Sequence, residues 1–139
     1  MKSPLAAFPG SPPALGPYSL AVAASGKFLF VSGMTPYDPA TGKIESGSIS
    51  QQTQLVLENI QNVLSAGGAS LADIVSCRVY LSSLTPENFK EMNEAICATL
   101  GSPSLRGRPS AYSSWALMSR LNAWPCSIKF YSSRRTASS

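Results

Sequence analysis

The absence of histidine limits the chemistry that the side chains of this 139-residue chain can perform. It excludes Ser-His-Asp and Cys-His nucleophilic sites, the usual zinc sites and the commonest general base near neutral pH. The cysteines, Cys77, Cys97 and Cys126, lack the C-x-x-C spacing of a metal site. Catalysis must therefore rely on carboxylates, Arg, Lys, Tyr, Cys, backbone groups or water, and we expect neither a metal nor a cofactor.

The charged residues are distributed unevenly along the chain. Residues 1–94 contain all seven acids and five bases, whereas residues 95–139 contain six bases and no acid. A basic segment of this kind can attract phosphates or acidic surfaces. Because its charges are not clustered on an aromatic platform, we do not expect a nucleic-acid partner.

The length of the chain indicates a single domain with a buried core. We expect a proline-rich lead-in without regular structure at 1–13, one domain at 14–131 and a disordered polar tail at 132–139. No apolar run approaches the length of a membrane span. The first nine residues carry one lysine and are interrupted by prolines, which is not typical of a secretory signal. These features predict a cytoplasmic protein and leave a mitochondrial location open.

Two segments have the periodicity of amphipathic helices. The first begins after a capping serine, Ser48 or Ser50, and ends before the glycine pair at 67–68. Its predicted buried stripe consists of Leu55, Val56, Ile60, Val63 and Leu64. The second begins at Pro86, which follows a capping threonine. Its predicted buried stripe consists of Phe89, Met92, Ile96 and Leu100.

The strand signals surround these helices. Segments 18–24 and 28–32 are rich in strand-forming residues and are expected to pair as a hairpin, and 36–42 has the composition of a loop. Segment 74–81 alternates between apolar and polar residues, and later strands are expected within 110–119 and at 126–130. This order predicts an α+β fold with a mixed sheet and both helices on one face.

Five segments between residues 16 and 81 form an ordered set. They are GPYS at 16–19, FVSG at 30–33, PYDPATG at 36–42, the first amphipathic helix, and DIVSCRVYL at 73–81. Together they resemble the reactive-intermediate deaminase (Rid) family, also called YjgF, L-PSP or RutC-like, over roughly two-thirds of the chain. The resemblance implies a chorismate-mutase-like fold. It also implies a homotrimer in which the open sheet face is buried and the sites lie between subunits.

The resemblance implies a hydrolase that acts on C=N bonds. Rid deaminases hydrolyse enamine and imine acids of the 2-iminopropanoate and 2-iminobutanoate class to 2-oxo acids and ammonia. Such imines already hydrolyse in water, so a modest reduction of the barrier suffices. The site needs a cation, ideally Arg, to bind the substrate carboxylate, and groups that hold one water against the imine carbon.

The resemblance also assigns substrate-binding residues. Tyr18 corresponds to a tyrosine that borders the substrate cleft, and Ser32 and Gly33 correspond to a Ser-Gly pair whose backbone lines it. Asn93 corresponds to an asparagine in the second helix. Each also has an ordinary structural explanation: a strand aromatic, a strand end that turns at glycine, or a polar residue on a helix surface.

The arginine that binds the carboxylate is less clearly placed. In the family it follows a proline at the start of the strand after the second helix. Arg108 and Arg106 are the candidates here, but Arg108 precedes a proline instead of following one. For each of them the alternative explanation is a solvated loop arginine.

The last third of the chain departs from the family pattern. The final strand of active members carries a glutamate that orients the water, whereas this chain has Lys129 there and no acid after Glu94. A change of reading frame, an alternative last exon or true divergence of a paralogue would each produce such a change.

Three functions are therefore considered. The first is a Rid-type deaminase that acts on a small imino or enamino acid. The second is a catalytically altered Rid-fold protein that binds small carboxylates or acts in a specialised biosynthetic pathway. The third, RNA binding or cleavage, is permitted by the basic segment but lacks a nearby general base and aromatic stacking motifs.

Overall fold

The computed structural model describes residues 2–5, 9–12, 19–100, 113–118 and 126–134. Within these ranges the chain forms two α-helices, α1 and α2, one short 3-10 helix (Leu71–Asp73) and eight strands. The helices are α1 (Ile49–Ala66) and α2 (Pro86–Leu100). The strands are β1 (Lys2–Leu5), β2 (Ala21–Ala24), β3 (Lys27–Met34), β4 (Tyr37–Asp38), β5 (Lys43–Ile44), β6 (Ile74–Leu81), β7 (Ser113–Met118) and β8 (Cys126–Arg134).

A four-stranded mixed sheet organises the fold, with strands in the order β3-β8-β6-β7. β8 pairs antiparallel with both of its neighbours, and β6 pairs parallel with β7. β8 thus lies between two strands that come from the first two-thirds of the sequence. The expected α+β fold with a mixed sheet is confirmed.

Helix α1 begins at a complete capping box. Ser48 Oγ accepts from Gln51 N at 3.2 Å, and Gln51 Oε1 accepts from Ser48 N at 2.9 Å. Ser48, and not Ser50, is therefore the cap. The helix ends at Gly67, and Gly68 adopts the left-handed conformation (φ 74°) that favours glycine.

The buried stripe of α1 differs in part from the expected one. Val56, Ile60 and Leu64 are buried as predicted, but Val63 is exposed and Leu57 is fully buried. Leu57 is part of the core cluster. It lies three residues before Ile60, and residues three apart share one face of a helix. The apolar face is therefore turned by a fraction of a helical turn from the predicted one.

Helix α2 agrees with the prediction. The Thr85 hydroxyl accepts from Asn88 N at 3.1 Å and caps the helix before Pro86. Met92 and Ile96 are buried in the core, and Phe89 and Leu100 pack against it.

Both helices cover the same face of the sheet, because their buried side chains join those of the strands in one core cluster. That cluster consists of Val31, Val56, Leu57, Ile60, Leu64, Ile74, Cys77, Val79, Leu81, Met92 and Ile96. β6 contributes Cys77, Val79 and Leu81, with Val75 also buried, and turns Ser76, Arg78 and Tyr80 the other way, as its alternation predicts.

The expected pairing near the N-terminus is wrong. β2 and β3 were expected to form a hairpin, but β2 pairs with β1, and β3 pairs with β8. β1 lies in the lead-in that was expected to be irregular, although it contains Pro4. A two-stranded ribbon consists only of edge strands, where proline is tolerated because one side of each strand needs no ladder bond.

Two further segments differ from expectation. β8 extends to Arg134, so the first residues of the predicted tail are part of a strand. The predicted loop at 36–42 includes the short strand β4, which pairs with β5.

The sheet face opposite the helices carries exposed aromatic side chains. Phe28 is 41% exposed and Phe30 is 69% exposed, and their rings stack with centroids 6.4 Å apart. Their neighbour Leu29 faces the helix layer, where it packs against the core. This second face of the sheet is called the open face below.

Candidate functional site

Ser32 and Gly33 form a β-bulge near the end of β3. Val31 pairs with Phe130 and Met34 pairs with Ile128, so two residues of β3 lie opposite the single residue Lys129 of β8. A bulge breaks the regular ladder, bends its strand and turns backbone groups out of the pairing pattern. Both Ser32 and Gly33 are exposed. Ser32 and Gly33 therefore lie at a break in the ladder, and their role in binding a ligand stays a prediction.

The glycine at this position is not required by its backbone conformation. The glycines with positive φ among the described residues are Gly10, Gly26, Gly42 and Gly68, and Gly33 is not among them. The idea that the end of β3 needs glycine for its turn is therefore not supported.

The loop that follows the bulge is held against α1. Asn59 Nδ2 donates to the Tyr37 carbonyl oxygen at 2.7 Å, and Glu45 N donates to the Pro36 carbonyl oxygen at 2.7 Å. Asp38 closes the turn by accepting from Ala40 N at 2.8 Å. These bonds fix the direction in which the chain leaves β3, and they give the bulge a rigid support.

Arg78 lies in the same row of the sheet as the bulge. It is directly opposite Lys129 in the β6–β8 register, and Lys129 is opposite Ser32 and Gly33 on its other side. Arg78 is exposed between two buried neighbours, Cys77 and Val79, so it lies on the open face. The alternation within 74–81 separates Arg78 from the apolar residues of its strand, but it does not identify this row, because the pairing with β8 is not visible in the local pattern.

Asn93 lies in the other layer of the molecule. It is half-buried on α2, next to the core residue Met92, and its side-chain amide has no hydrogen-bond partner within the described part of the chain. Because the helices cover the face opposite to Arg78, a single chain does not join Asn93 to the bulge.

The remaining predicted site residues, Tyr18, Arg106 and Arg108, lie outside the described residues. Of the six predicted site residues, the structure therefore brings together Ser32 and Gly33.

The sheet around the bulge contains no carboxylate. The sequences of β3, β6, β7 and β8 include no Asp or Glu but contain Lys27, Arg78, Lys129 and Arg134. Several acids elsewhere bond nearby backbone groups instead: Asp73 accepts from Ser70 N at 2.8 Å, and Glu45 accepts from Gly47 N at 2.7 Å. The charged residues in the sequences of these four strands are therefore all basic.

Two classes of site have no support in the described ranges. No group of three or more His, Cys, Asp or Glu side chains there is placed to hold a metal ion. In the same part of the chain, neither helix combines the length and apolar character needed to cross a bilayer.

Comparison with known proteins identifies the family. The sequence profile described as Endoribonuclease L-PSP matches residues 9–114. A RutC family protein of Pyrococcus horikoshii is 45% identical over 91 residues, which cover 66% of this chain and 70% of the relative. The chloroplastic Reactive Intermediate Deaminase A of Arabidopsis thaliana is 38% identical over 94 residues, covering 68% of this chain and 49% of that protein.

A solved structure shows the same architecture. The Rid family protein YyfB of Yersinia pestis superposes with a TM-score of 0.72 at 26% identity, covering 96% of this chain and 98% of that one. Sequence and fold agree, and the chain belongs to the Endoribonuclease L-PSP family, the family of the Rid and RutC proteins.

Proposed function

We propose that this protein hydrolyses small 2-imino acids and their enamine tautomers to 2-oxo acids and ammonia. The observation that carries the proposal is the exposed bulge of Ser32 and Gly33, which frees backbone groups on a basic row of the sheet. Family membership supports the reaction class, and the name of the Arabidopsis relative describes that protein as a reactive intermediate deaminase.

The reaction needs one water and no redox partner. The water oxygen bonds to the imine carbon, the carbon–nitrogen bond then breaks, and the nitrogen leaves as ammonia with the protons it has gained. In this scheme Arg108 or Arg106 binds the substrate carboxylate, since a guanidinium fork matches its two oxygens. Ser32 and Gly33 bind and orient the substrate, and Tyr18 borders it. Water is held by hydroxyl and backbone groups, because no acid follows Glu94.

The site is proposed to be completed by assembly into a homotrimer. Phe28 and Phe30 expose apolar surface on the open face, which a monomer would leave in water. Sites between subunits would also bring Asn93 of one copy towards the bulge of another, which a single chain does not do. Light scattering is expected to give a mass three times that of the 14.6 kDa chain.

A coupled assay tests the activity. Threonine dehydratase generates 2-iminobutanoate, semicarbazide traps it, and the purified protein competes by hydrolysing it. We expect the protein to lower the rate of semicarbazone formation, and Arg108→Gln or Arg106→Gln to abolish this effect. Arg135→Gln is the matched control, because it removes the same charge from a neighbouring part of the sequence. No competition by a folded wild-type protein would contradict the proposal.

A second candidate is a carboxylate-binding protein with little hydrolytic activity. The absence of Asp and Glu from the strands of the main sheet favours it, because active members orient the water with a glutamate. Binding of 2-oxobutanoate without competition in the semicarbazide assay would select this candidate.

Ribonuclease activity, which the family description names, is the weakest candidate. Histidine is absent from the sequence, and the basic segment contains no carboxylate to act as a general base. We also propose a cytoplasmic location, and a mitochondrial location is the alternative.

A further inference from the structure

The bulge decides which residues of β3 face outward. Val31 is buried in the core, and Met34 packs against the core. Ser32 and Gly33, which lie between them, are both exposed. Residues of a regular strand alternate between the two faces, so a strand without the bulge would turn position 33 towards the helices and Met34 away from them. The bulged and the regular strand are therefore two discrete arrangements of the same residues, and only the bulged one presents Ser32 and Gly33 together.

A long-range hydrogen bond holds the chain that follows the bulge. Backbone bonds within the loop are local: Tyr37 N donates to the Thr35 carbonyl oxygen at 2.7 Å, and Glu45 N donates to the Pro36 carbonyl oxygen at 2.7 Å. Asn59 Nδ2, by contrast, reaches the Tyr37 carbonyl oxygen at 2.7 Å from 22 residues further along the chain. Among the described residues, this is the hydrogen bond that ties the loop at 35–45 to a helix.

Asn59 is well placed to act as a fixed point. It lies half-buried in the interior of α1, next to Ile60, which is fully buried in the core. Asparagine is a poor helix former, because its side chain competes for backbone hydrogen bonds. Here the side-chain amide is used between two elements instead. The rigid part of α1 thus holds Tyr37, which lies three residues after the end of the bulge at Met34.

We propose that Asn59 is a positioning residue for the proposed hydrolysis, and that its bond to Tyr37 keeps β3 in the bulged arrangement. The inference rests on the proposed function, in which Ser32 and Gly33 bind and orient the substrate. Asn59 lies in the helix layer, so it acts on the site through Tyr37 and the short segment that leads back to the bulge. Loss of the bond lowers the fraction of molecules with a competent bulge, and the apparent affinity for substrate falls with that fraction.

An isosteric substitution removes the donor. In Asn59→Asp the carboxylate only accepts hydrogen bonds, so it cannot donate to the Tyr37 carbonyl oxygen and repels it. We expect the apparent KM for 2-iminobutanoate in the semicarbazide assay to rise about tenfold, with kcat changed by less than about twofold. Asn62→Asp is the matched control, because it makes the same change of charge at an exposed position three residues later in α1. It should change neither constant.

The division between KM and kcat distinguishes positioning from a purely structural role. A variant that is partly unfolded has fewer active molecules, so its apparent kcat falls while the KM of the folded fraction is unchanged. That result for Asn59→Asp would overturn the inference.

A second variant removes the donor without adding a charge. Alanine favours the helix, so Asn59→Ala is expected to fold. We expect its apparent KM to rise about fivefold, as the net contribution of one hydrogen bond allows. If Asn59→Ala matched the wild type and only Asn59→Asp were impaired, the introduced charge would be the cause, and the inference would fail.

NMR separates this inference from the proposed function. The backbone amide resonances of Ser32 and Gly33 report the arrangement of β3 without any substrate. We expect them to shift or broaden in Asn59→Ala and to stay unchanged in Asn62→Ala. If the wild-type protein hydrolyses no imine but these resonances move, the proposed hydrolysis fails and the role of Asn59 at the bulge stands. Unchanged resonances in Asn59→Ala would refute that role whatever the activity.

Discussion

The backbone N–H of Ser50 donates a 2.8 Å hydrogen bond to Glu91 Oε1, which joins the first turn of α1 to the middle of α2. The first turn of α1 contains no acidic residue of its own. Glu91 therefore provides the negative charge that a helix N-terminus favours, and it does so from another element. The bond is partly buried, so solvent screens it less than a surface contact.

Replacement of Glu91 tests this link. We expect Glu91→Ala to lower the free energy of unfolding by about 1–2 kcal/mol, because a charge-assisted hydrogen bond and a favourable dipole interaction are lost. Glu94→Ala is the matched control: Glu94 makes a 3.9 Å ion pair with Lys90 in which both side chains are largely exposed. Such pairs contribute less than about 1 kcal/mol. Urea denaturation of both variants measures the difference, and equal losses would argue against a special role for Glu91.

The capping box of α1 gives a second prediction. Ser48→Ala removes the hydroxyl that accepts from Gln51 N, and it is expected to cost about 1 kcal/mol of stability. Ser46→Ala, at an exposed position two residues earlier, should change stability by less than about 0.5 kcal/mol. Thermal and urea unfolding would show the contrast, and an unchanged midpoint for Ser48→Ala would contradict the cap.

The rotation of the apolar face of α1 gives a third. Leu57 is fully buried, so Leu57→Ala should leave a cavity and lower stability by about 2–5 kcal/mol. Val63 is exposed although the periodicity placed it in the stripe, and Val63→Ala should cost less than about 1 kcal/mol. If the two variants were equally destabilised, the observed orientation of the helix would be wrong.

The open face gives a prediction about assembly. Phe30→Ser removes a ring that is 69% exposed on that face and should shift the proposed trimer towards monomer in light scattering at micromolar concentration. Leu84→Ser is the control, because Leu84 is a similarly exposed apolar residue outside the strands of the sheet. A trimer that persists in the Phe30 variant would show that another surface holds the copies together.

Gly33 separates folding from activity. Its backbone conformation is open to alanine, so Gly33→Ala should leave the unfolding free energy within about 0.5–1 kcal/mol of the wild type. The added methyl group should nevertheless hinder substrate approach and lower kcat/KM by about tenfold or more, consistent with the sensitivity of catalysis to small displacements. Gly42→Ala, at φ 70°, should do the opposite and lose stability without losing activity.

Local sequence patterns were sufficient to predict the two helices and the strand β6. The spacing of Met92 and Ile96, the proline at 86 and the alternation around Cys77 each express a preference that acts within a few residues. The predicted buried face of α1 differs from the observed one because Leu57 and Val63 are both apolar, and only packing against the sheet decides which of them is buried.

Strand pairing was not predictable from local patterns in the same way. The short turn between β2 and β3 favoured a hairpin, yet each strand found another partner, β1 and β8 respectively. β1 was not predicted because it contains Pro4, and proline is disfavoured in strands except at the edge of a sheet.

The candidate site likewise has residues that a sequence motif identified and features that only strand pairing reveals. Ser32 and Gly33 were identified by a motif, but the bulge they form is defined only by the register of β3 with β8. The position of Arg78 opposite Lys129 was not predicted, because it follows from the register of β6 with β8 and not from sequence spacing. Tyr18, Arg106 and Arg108 stay predictions.

The central position of β8 constrains how the protein can be made. Until residues 126–134 leave the ribosome, β3 and β6 have no common neighbour, and each nascent strand presents an unpaired edge. Most of the chain must therefore be synthesised before the sheet can close, a long-range pairing that slows folding and prolongs exposure to aggregation. Nascent chains released before this strand is made should depend strongly on chaperones and be degraded quickly, however well their two helices are encoded.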